Sequence, residues 1–412
     1  MELNELQQIA VNCPDNKVLV TASPGSGKTR IMIEAIKKYN NENPQDHIVA
    51  ITFTKKAASE LSLKTMGISM VEASTIHSWS LKELNRLGRK YGLVISLLQE
   101  QKIKELLLSL SKQARYYSLN QFLLYSYVTG NYNIDVPDNV KGKFVKVNNM
   151  YVEYKRRNRL YDFMDLPLYL LDVLTEYNER IKHVDALFVD EFQDVDDIQA
   201  QIFTLVDASK KFYIGDVDQA IYIFRGATPD NIRDLHDFTH LKLDINYRSY
   251  QPIIDFAVQI KEGFPYLTSI TKLSKDSWIK CARGRGEGEV FCVNEDHALN
   301  LVTGNSADIS HIVNYMITKR PYILCRSNKQ VKKIKDLGYD NVSTIHQAKG
   351  LEYAHVIVTD FSLKEEEEVN IAYVACTRAM NSLLVIDYDI FFAELNQIRF
   401  DQPDLIQGSI LF

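Results

Sequence analysis

A loop of small residues and one lysine follows an apolar run near the start of the sequence. Residues 22–29 read ASPGSGKT, come directly after KVLVT, and lead into a segment with helical periodicity. Gly25 and Gly27 allow backbone N–H groups to turn inward around phosphates, and Lys28 supplies a positive charge for the outer phosphates. Thr29 offers a hydroxyl group to Mg²⁺. The stretch predicts a phosphate-binding loop at a helix N-terminus, where anions are also favoured.

Two adjacent carboxylates follow a second apolar run. The stretch 186–196 reads ALFVDEFQDVD, so Asp190 ends the run and Glu191 comes next. At the end of a buried strand, Asp190 is suited to hold the water shell of Mg²⁺, and Glu191 is suited to take a proton from attacking water. A solvated acidic turn is the alternative interpretation. Together with the phosphate loop, the pair indicates nucleotide hydrolysis.

The elements that position these residues alternate between short strands and longer helices. Runs such as KVLVTAS, HIVAITF and ALFVDEF alternate with helical patterns, and GEVFCVN, PYILCRS and AHVIVTD repeat this alternation in the second half. The pattern predicts an α/β protein with two doubly wound parallel sheets. Residues 81–160 have helical periodicity with few strand signals, which predicts a helical insertion in the first sheet domain.

Length and composition limit the possible classes of protein. The chain has 412 residues, of which 46% are hydrophobic and 25% charged, and its net charge is −5. Two globular domains are expected at this length. The negative net charge gives no overall attraction to nucleic acid, so such binding would need a local groove. We found neither a signal-peptide pattern nor a membrane-length apolar run, so we expect a cytosolic protein without a membrane partner.

Nine stretches of the sequence follow one another from residue 3 to about residue 385. In chain order these are LNELQQIAV, ASPGSGKTR, ITFTKKAASEL, STIHSW, VDEFQD, GDVDQAIYIFRGA, LDINYRS, STIHQAKGLEYAHVIV and IAYVACTRAM. In this order they resemble the Q motif and motifs I, Ia, Ib, II, III, IV, V and VI of the UvrD, Rep and PcrA group of superfamily 1 DNA helicases.

The resemblance implies a domain organisation. A first RecA-like ATPase domain is expected at residues 1–80 and 161–245, with a helical insertion subdomain at 81–160. A second RecA-like domain is expected at 246–406, followed by a tail at 407–412.

The resemblance also implies ATP and Mg²⁺ as cofactors and assigns nucleotide contacts. Arg248 and Arg378 resemble arginine fingers that neutralise transition-state charge, with surface salt bridges as the alternative. Gln219 is implied to sense the γ-phosphate. Gln7 is implied to read the adenine edge, Tyr247 to stack on the base, and Glu352 to contact the ribose. The expected catalytic residues are Lys28, Asp190, Glu191, Gln219, Arg248 and Arg378, with Thr29 and Asp190 at the metal; the expected nucleotide-binding residues are Gln7, Ala22, Ser23, Pro24, Gly25, Ser26, Gly27, Lys28, Thr29, Arg30, Gln219, Tyr247, Arg248, Gly350, Glu352 and Arg378.

Aromatic residues close to the implied sensor predict contact with a single strand. Tyr222, Phe224 and Arg225 follow Gln219 within six residues. The family usually has a tryptophan where Phe224 stands, but phenylalanine keeps a π-face for base stacking. An aromatic core cluster is the alternative, as is a buried histidine for His77. The expected DNA-binding residues are Phe53, Thr54, Thr75, His77, Trp79, Tyr222, Phe224, Arg225 and His346.

These features predict an ATP-dependent helicase and translocase that moves 3′-to-5′ on single-stranded DNA and acts at single-strand/double-strand junctions. A DNA-stimulated ATPase that remodels protein–DNA complexes and a nucleotide-gated DNA-binding subunit are alternatives. We expect a monomer or a loosely self-associating protein.

Several stretches depart from the family pattern or fall outside its motifs. The large insertion expected between CRSNKQ and motif V is absent. The basic runs 155–159 and 282–288 could touch phosphates, although such runs are usually solvated. The C-terminal QGSILF, residues 407–412, resembles a sliding-clamp-binding peptide, with a terminal strand as the alternative.

Overall fold

The computed structural model describes most of the chain as two compact units. It describes residues 2–68, 70–129, 136, 138–263, 279–284, 286, 288–293, 299–301, 308–360 and 366–401. Unit 1 comprises Met1–Ala35, Glu191–Asp194 and Tyr213–Phe412, and unit 2 comprises Ile36–Asp190 and Val195–Phe212.

Strands and helices alternate through the first 243 residues. They are α1 (Glu5–Asn12), β1 (Lys17–Ala22), α2 (Lys28–Glu42), β2 (Ile48–Thr52), α3 (Lys55–Lys64), β3 (Val71–Thr75), α4 (Ile76–Tyr91), β4 (Ser96–Leu97), α5 (Glu100–Gln113), α6 (Gln121–Thr129), α7 (Asp138–Asn158), β5 (Leu160–Tyr161), α8 (Leu166–Glu176), β6 (Ala186–Val189), α9 (Asp197–Thr204), β7 (Lys210–Gly215), α10 (Asp230–Arg233) and β8 (Thr239–Leu243).

The alternation continues in the second part of the chain. Its elements are β9 (Ile245–Asn246), α11 (Gln251–Gly263), β10 (Lys280–Cys281), β11 (Glu289–Val293), β12 (Leu299–Leu301), α12 (Ile309–Thr318), β13 (Tyr322–Cys325), α13 (Asn328–Asp336), β14 (Val342–Thr344), β15 (Tyr353–Thr359), α14 (Glu366–Cys376), β16 (Ala379–Ile386) and α15 (Tyr388–Asp401). Short 3-10 turns occur at Phe163–Asp165, Phe192–Asp194, Val217–Gln219, Ile223–Arg225 and His346–Ala348.

Unit 1 contains parallel strands on which the site is built. The strands β7, β1 and β8 are adjacent in that order, and β1 pairs with β8 in parallel. A second sheet has the order β12-β11-β16-β15-β13-β14, in which β11 and β12 are antiparallel and the other neighbours are parallel. Helices α11 and α14 contribute buried residues to the core of this sheet. Runs of buried β-branched residues such as Val356–Val358 explain why the strands form, because parallel strands are covered on both faces.

Unit 2 contains a parallel set of strands and a helical region. Strands β3, β2 and β6 are adjacent and parallel. Strands β4 and β5 pair in parallel and join the two ends of the helical region. Helices α5, α6 and α7 pack around a core of their own. Lys155 ties the end of α7 to Asp162 (2.7 Å) and Asp165 (2.6 Å).

The α/β class with parallel sheets is therefore confirmed. Among the described residues between 81 and 160 are most of α4, then α5, α6 and α7, and the strands are limited there to β4 and the start of β5. The domain boundaries stay a prediction. The tail 407–412 lies outside the described residues. None of the described helices is long and apolar enough to cross a membrane.

Candidate nucleotide and nucleic-acid site

The predicted phosphate loop joins β1 to α2 in unit 1. The backbone φ angle is +67° at Gly25 and +90° at Gly27, in the left-handed region that glycine adopts without steric cost. The backbone N–H and hydroxyl group of Ser26 donate to the carbonyl oxygen of Ser23 at 3.2 Å and 2.7 Å and close the loop. Because α2 begins at Lys28, the N–H groups of its first turn lack intrahelical acceptors and suit phosphate oxygens.

Helix α1 packs Gln7 against this loop. The Gln7 N–H donates to Asn4 Oδ1 (2.7 Å), and the Asn4 N–H donates to Gln7 Oε1 (3.1 Å), which forms a capping box. Gln7 Nε2 donates to the carbonyl oxygen of Ser26 (2.9 Å), and the N–H of Tyr247 donates to that of Gly25 (2.9 Å). Gln7 Nε2 thus holds the loop while Gln7 Oε1 caps α1, so an adenine contact would require exchanging one of these hydrogen bonds.

Asn246 connects the phosphate loop to the backbone of Arg248, although no prediction singled it out. Its side chain is fully buried, and Nδ2 donates to the carbonyl oxygen of Pro24 at 2.6 Å. Its Oδ1 accepts the N–H groups of Arg248 (2.8 Å) and Ser249 (2.7 Å). A Cβ atom at Gly25 would lie only 2.7 Å from both Arg248 Cβ and Asn246 Nδ2. Glycine is therefore required by close approach as well as by its φ angle.

Glu191 is held in an unusual backbone conformation beside positive charges. Its φ angle is +51°, which is uncommon outside glycine and often accompanies functional sites. Gln193 Nε2 donates to Glu191 Oε2 at 2.6 Å. Burial raises the pKa of Glu191, but the charges of Lys28 and Lys349 and the Gln193 bond outweigh this effect and keep the pKa below its ordinary value. The side chain is therefore ionised at neutral pH, as a proton acceptor must be.

The residues predicted to hold Mg²⁺ carry oxygen donors. Asp190 directly follows β6 in unit 2, is 8% exposed, and donates its backbone N–H to the carbonyl oxygen of Ile51 (2.9 Å). Thr29 is exposed in the first turn of α2. In the described part of the chain, no three His, Cys, Asp or Glu residues form a metal site by themselves. Carboxylate and hydroxyl oxygens suit Mg²⁺, which usually takes its remaining ligands from substrate phosphates and water.

Arg248 reaches two residues from the second half of the chain. Its Nε donates to Glu352 Oε2 at 2.7 Å, and its Nη1 donates to the carbonyl oxygen of Thr377 at 3.2 Å. The Arg248 side chain is 14% exposed and that of Glu352 is 54% exposed. Glu352, which the resemblance assigns to the ribose, is thus paired with an arginine. Gly350 precedes it with a φ angle of +80°.

Arg378 follows α14 and is almost completely buried. Its Nε donates to the carbonyl oxygen of Val374 (2.9 Å), Nη1 to that of Leu351 (3.1 Å), and Nη2 to Gln219 Oε1 (3.2 Å). Burial, together with the nearby charge of Arg248, lowers the pKa of Arg378 to about 9. The guanidinium therefore stays charged at neutral pH and is fixed against the predicted γ-phosphate sensor.

Gln219 also joins two buried carboxylates and a lysine. Its Nε2 donates to Asp216 Oδ2 at 2.5 Å, while Lys349 Nζ donates to its carbonyl oxygen (2.8 Å) and to Asp194 Oδ2 (2.6 Å). Burial raises the pKa of Asp194 and of Asp216 to about 6. Sequence reasoning missed Lys349, Asp194 and Asp216. They lie within or beside recognised motifs, but motif spacing does not reveal which polar residues are buried together.

The arrangement suits a polyanion. Lys28, Arg248, Arg378 and Lys349 all belong to unit 1, and the charges of three of them act on Glu191. Glycine loop, helix N-terminus, lysine and arginines are the groups that bind and neutralise a transferring phosphoryl group. The chain's residues therefore fit a nucleoside triphosphate.

The predicted base-stacking residues form an aromatic patch in unit 1, defined here as Tyr222, Phe224, Arg225 and His346. The His346 ring centroid lies 6.0 Å from that of Tyr222 and 5.3 Å from that of Phe224. Arg225 Cζ lies 5.7 Å from the Tyr222 ring. Phe224 is 42% exposed. The patch therefore presents an aromatic face to solvent rather than closing into a core.

His346 is neutral in this patch. Burial, with the charges of Arg326, Lys349 and Arg225, lowers the pKa of His346 to about 4. Its Nε2 atom is buried and has no hydrogen-bond partner among the described residues. A buried polar atom without a partner is costly, which marks it as a candidate contact for a ligand.

Two predicted DNA-binding threonines in unit 2 begin helices. Thr54 Oγ1 accepts the N–H of Ala57 (3.1 Å) at the start of α3, and Thr75 Oγ1 accepts that of Ser78 (3.4 Å) at the start of α4. Thr54 is exposed and Thr75 is 7% exposed. Phe53 is half-buried. Both threonines therefore stabilise a helix as N-caps, independently of any contact with DNA.

The other two predicted residues of unit 2 differ in exposure. The ring of His77 stacks on Phe163 with centroids 5.3 Å apart, and Lys55 Nζ lies 5.3 Å from the Phe163 centroid. Phe163 and Lys55 were not predicted. Trp79 is only 1% exposed, so it packs in the core and offers no face for stacking in this conformation.

The chain is similar to known helicases over most of its length. A family model described as the UvrD/REP helicase N-terminal domain matches residues 3–240, and one described as the UvrD-like helicase C-terminal domain matches residues 341–386. ATP-dependent DNA helicase Rep of Buchnera aphidicola subsp. Baizongia pistaciae is 30% identical over 370 residues, covering 81% of this chain and 53% of that protein. DNA helicase II of Escherichia coli is 30% identical over 315 residues, covering 68% and 42%.

The relatives are longer than this chain. Rep of Escherichia coli is 29% identical over 363 residues, which cover 80% of this chain but 53% of that protein. The chain thus spans about half the length, or less, of the curated relatives that it matches.

Proposed function

Because the chain belongs to the UvrD/REP helicase family, we propose that it is an ATP-dependent DNA translocase that moves 3′-to-5′ along single-stranded DNA and separates strands. The observation that carries this proposal is the joint contact of both candidate arginine fingers with the phosphate-site residues. The Arg248 N–H donates a hydrogen bond to the Asn246 side chain, which donates one to the phosphate loop. The Arg378 guanidinium donates one to the Gln219 side chain.

The chemistry assigned to each residue follows from its surroundings. Lys28 and the first-turn N–H groups of α2 bind phosphate oxygens, and Glu191, ionised at neutral pH, accepts the proton of the attacking water. Arg248 and Arg378 neutralise charge that grows in the transition state. Mg²⁺ would supply further charge neutralisation, and the oxygen donors that we propose for it are the Thr29 hydroxyl group and the Asp190 carboxylate. The Tyr247, Gln7 and Glu352 assignments remain part of the proposal.

Coupling to DNA is supported by the short path between the sensor and the aromatic patch. Phe224 is the fifth residue after Gln219. Lys349 donates to the carbonyl oxygen of Gln219 and lies 4.8 Å from the Tyr222 ring centroid. A change in how Gln219 contacts the nucleotide would therefore alter the contact between Lys349 and Tyr222. Base stacking is independent of sequence, which suits movement along any strand.

Strand displacement with tailed duplexes tests the direction and the activity together. We expect ATP- and Mg²⁺-dependent displacement from a duplex with a 3′ single-stranded tail, and none from a matched 5′-tailed duplex. Lys28→Ala is the control, because it removes the phosphate-binding charge without altering the aromatic patch. Displacement of only the 5′-tailed duplex would refute the proposed direction.

A second candidate function is translocation that remodels protein–DNA complexes without separating strands. It is favoured by the short connection between β13 and β14, which contains α13 and no further domain. ATP turnover stimulated by single-stranded DNA, with streptavidin removed from a biotinylated strand but no duplex separated, would support this alternative. The clamp-binding role of residues 407–412 and the monomeric state stay predictions.

A further inference from the structure

Two backbone segments that carry the candidate arginine fingers lie side by side in unit 1. We name residues 246–250 the Arg248 segment and residues 377–381 the Arg378 segment. Direct hydrogen bonds join the Ser249 hydroxyl to the carbonyl oxygen of Ala379 (2.6 Å), the Tyr250 N–H to that of Met380 (3.1 Å), and Arg248 Nη1 to that of Thr377 (3.2 Å).

A third stretch supplies one side chain that contacts both segments. Arg283 Nη1 donates to the carbonyl oxygen of Arg248 (2.9 Å) and to that of Met380 (3.2 Å). Its Nη2 donates to Asn381 Oδ1 at 2.9 Å. One guanidinium thus bridges the backbone of the first finger and the residues that follow the second.

The stretch around Arg283 is itself anchored to the Arg248 segment. Strand β10 pairs with β9, and the Ala282 N–H donates to the carbonyl oxygen of Asn246 at 2.8 Å. The guanidinium carbon of Arg283 lies 3.8 Å from the Tyr250 ring centroid, which is a close cation–π contact. A Cβ atom at Gly288 would lie 2.5 Å from Tyr250 Cβ, so the chain must pass close to this ring.

The partners of Arg283 argue against a surface salt bridge. Its acceptors are two backbone carbonyl oxygens and one side-chain amide, and no carboxylate pairs with it among the described residues. A planar guanidinium can donate to several acceptors in fixed directions, whereas a lysine offers one flexible point charge. The arrangement therefore fixes geometry rather than neutralising an acid. It also gives Arg283 a different task from the phosphate contact that the basic run 282–288 suggested.

We propose that Arg283 is a positioning residue that sets the separation of Arg248 and Arg378, so that both guanidinium groups reach the same triphosphate. This inference rests on the proposed ATPase function. Catalytic groups must be held within a fraction of an ångström, because a displacement of about 1 Å can reduce a rate roughly 10²-fold. Arg283 does not itself touch the nucleotide.

Hydrogen exchange of the nucleotide-free, full-length chain tests the structural half of the inference. Arg283→Gln removes the bridge, and Arg283→Lys keeps the charge but not the planar fork. Arg233→Gln is the matched control, because Arg233 is exposed in α10 and pairs only with the neighbouring Asp230 among the described residues. We expect faster amide exchange in peptides covering 246–251 and 378–382 in Arg283→Gln, a smaller increase in Arg283→Lys, and none in Arg233→Gln. Unchanged exchange in Arg283→Gln would overturn the proposal.

Nucleotide measurements test the catalytic half. In Arg283→Gln we expect kcat for ATP hydrolysis to fall by about 10- to 100-fold while KM for ATP stays within about twofold. The affinity for ADP with aluminium fluoride, a transition-state analogue, should fall by a similar factor, while the affinity for ADP alone should not change. Arg283→Lys should recover part of the loss.

Other outcomes are equally decisive. A raised KM with unchanged kcat, or equal losses of ADP and ADP–aluminium fluoride binding, would mean that Arg283 contacts the ground-state nucleotide and would overturn the inference. A wild-type chain that hydrolyses no ATP would instead refute the proposed function, and the exchange data would then still report on the bridge between the two segments.

Discussion

The phosphate site and the aromatic patch lie only a few residues apart in unit 1, yet they differ in solvent exposure and in hydrogen bonding. Arg378, Gln219 and Asp216 are 1%, 3% and 5% exposed, and each is hydrogen-bonded within the protein. Phe224 and its neighbour Ile223 are 42% and 38% exposed. A site that stabilises charge benefits from preorganised dipoles away from water, whereas a surface that stacks on any base must stay accessible.

The same comparison explains where the two regions connect. In the phosphate site, Lys349 donates to Asp194 and to the carbonyl oxygen of Gln219. In the aromatic patch, it lies over the ring of Tyr222. We therefore expect a change at the phosphate site to reach the aromatic patch through Lys349.

Arg378→Ala should cause the largest change, and it should affect the phosphate site but not the aromatic patch. Removing an arginine that neutralises transition-state charge reduces the rate by about 10³- to 10⁵-fold. We expect that loss in kcat for ATP hydrolysis, with single-stranded DNA affinity within about twofold of the wild type. Arg378→Lys, which keeps the charge in a similar volume, is the matched variant. A tenfold or smaller loss in Arg378→Ala would remove the arginine from the catalytic set.

Glu191→Gln should come next and should separate binding from turnover. The substitution removes the proton acceptor, whose contribution is about 10²- to 10⁴-fold, while it keeps the shape of the side chain. We expect kcat to fall by that factor, with the affinity for a fluorescent ATP analogue unchanged. Retained multiple turnover would show that another group accepts the proton.

Gly25→Ala compared with Gly226→Ala should sharpen the contrast in packing. Both glycines have positive φ angles, +67° and +92°, but a Cβ atom meets Arg248 and Asn246 only at Gly25. Left-handed strain costs about 1–2 kcal/mol, and overpacking adds about 1–3 kcal/mol. Urea unfolding should show the larger loss of stability in Gly25→Ala. Equal losses would mean that the loop relaxes freely.

Phe224→Ala should affect the aromatic patch but not the phosphate site. We expect single-stranded DNA binding to weaken by about 1–3 kcal/mol, with DNA-independent ATP hydrolysis unchanged. Ile223→Ala is the control, since Ile223 is similarly exposed but has no π-face. Fluorescence anisotropy with a labelled oligonucleotide gives both affinities. A larger loss in Ile223→Ala would argue for general apolar contact instead of stacking.

Lowering the pH should change the free energy of unfolding in opposite directions through the aromatic patch and through the phosphate site, so the net effect should be small. The pKa of His346 is lowered to about 4, so as pH falls from about 6.5 to about 4 the unfolded state binds the proton first and stability falls. The pKa values of Asp194 and Asp216 are raised to about 6, so over the range from about 6 to about 4 their protonation favours the folded state. His346→Asn should therefore lose less stability than the wild type between pH 6.5 and 4. A steeper loss would contradict the assignment.

Much of the fold was predictable because its signals are local. The phosphate loop, the strand before Asp190 and helices such as α5 and α7 follow from short runs of apolar or glycine residues. Helix α6 lies within the region 81–160 that was predicted to be helical, whereas helices α8, α11 and α15 were not predicted. Trp79 lies in a motif that implies DNA contact but is buried, because its helix turns that face inward. Burial depends on packing partners that are distant in the sequence.

The sequence by itself determined which chemical groups this protein has and in what order: the glycine loop, the carboxylate pair, the two arginines and the aromatic run. Only the tertiary structure decided how those groups are used. Gln7 holds the loop, Lys349 pairs with Asp194, and Arg283 bridges two segments, 246–250 and 377–381, that are far apart along the chain. A local pattern fixes backbone conformation and residue chemistry, but hydrogen-bond partners and pKa values depend on contacts that exist only after distant segments pack together.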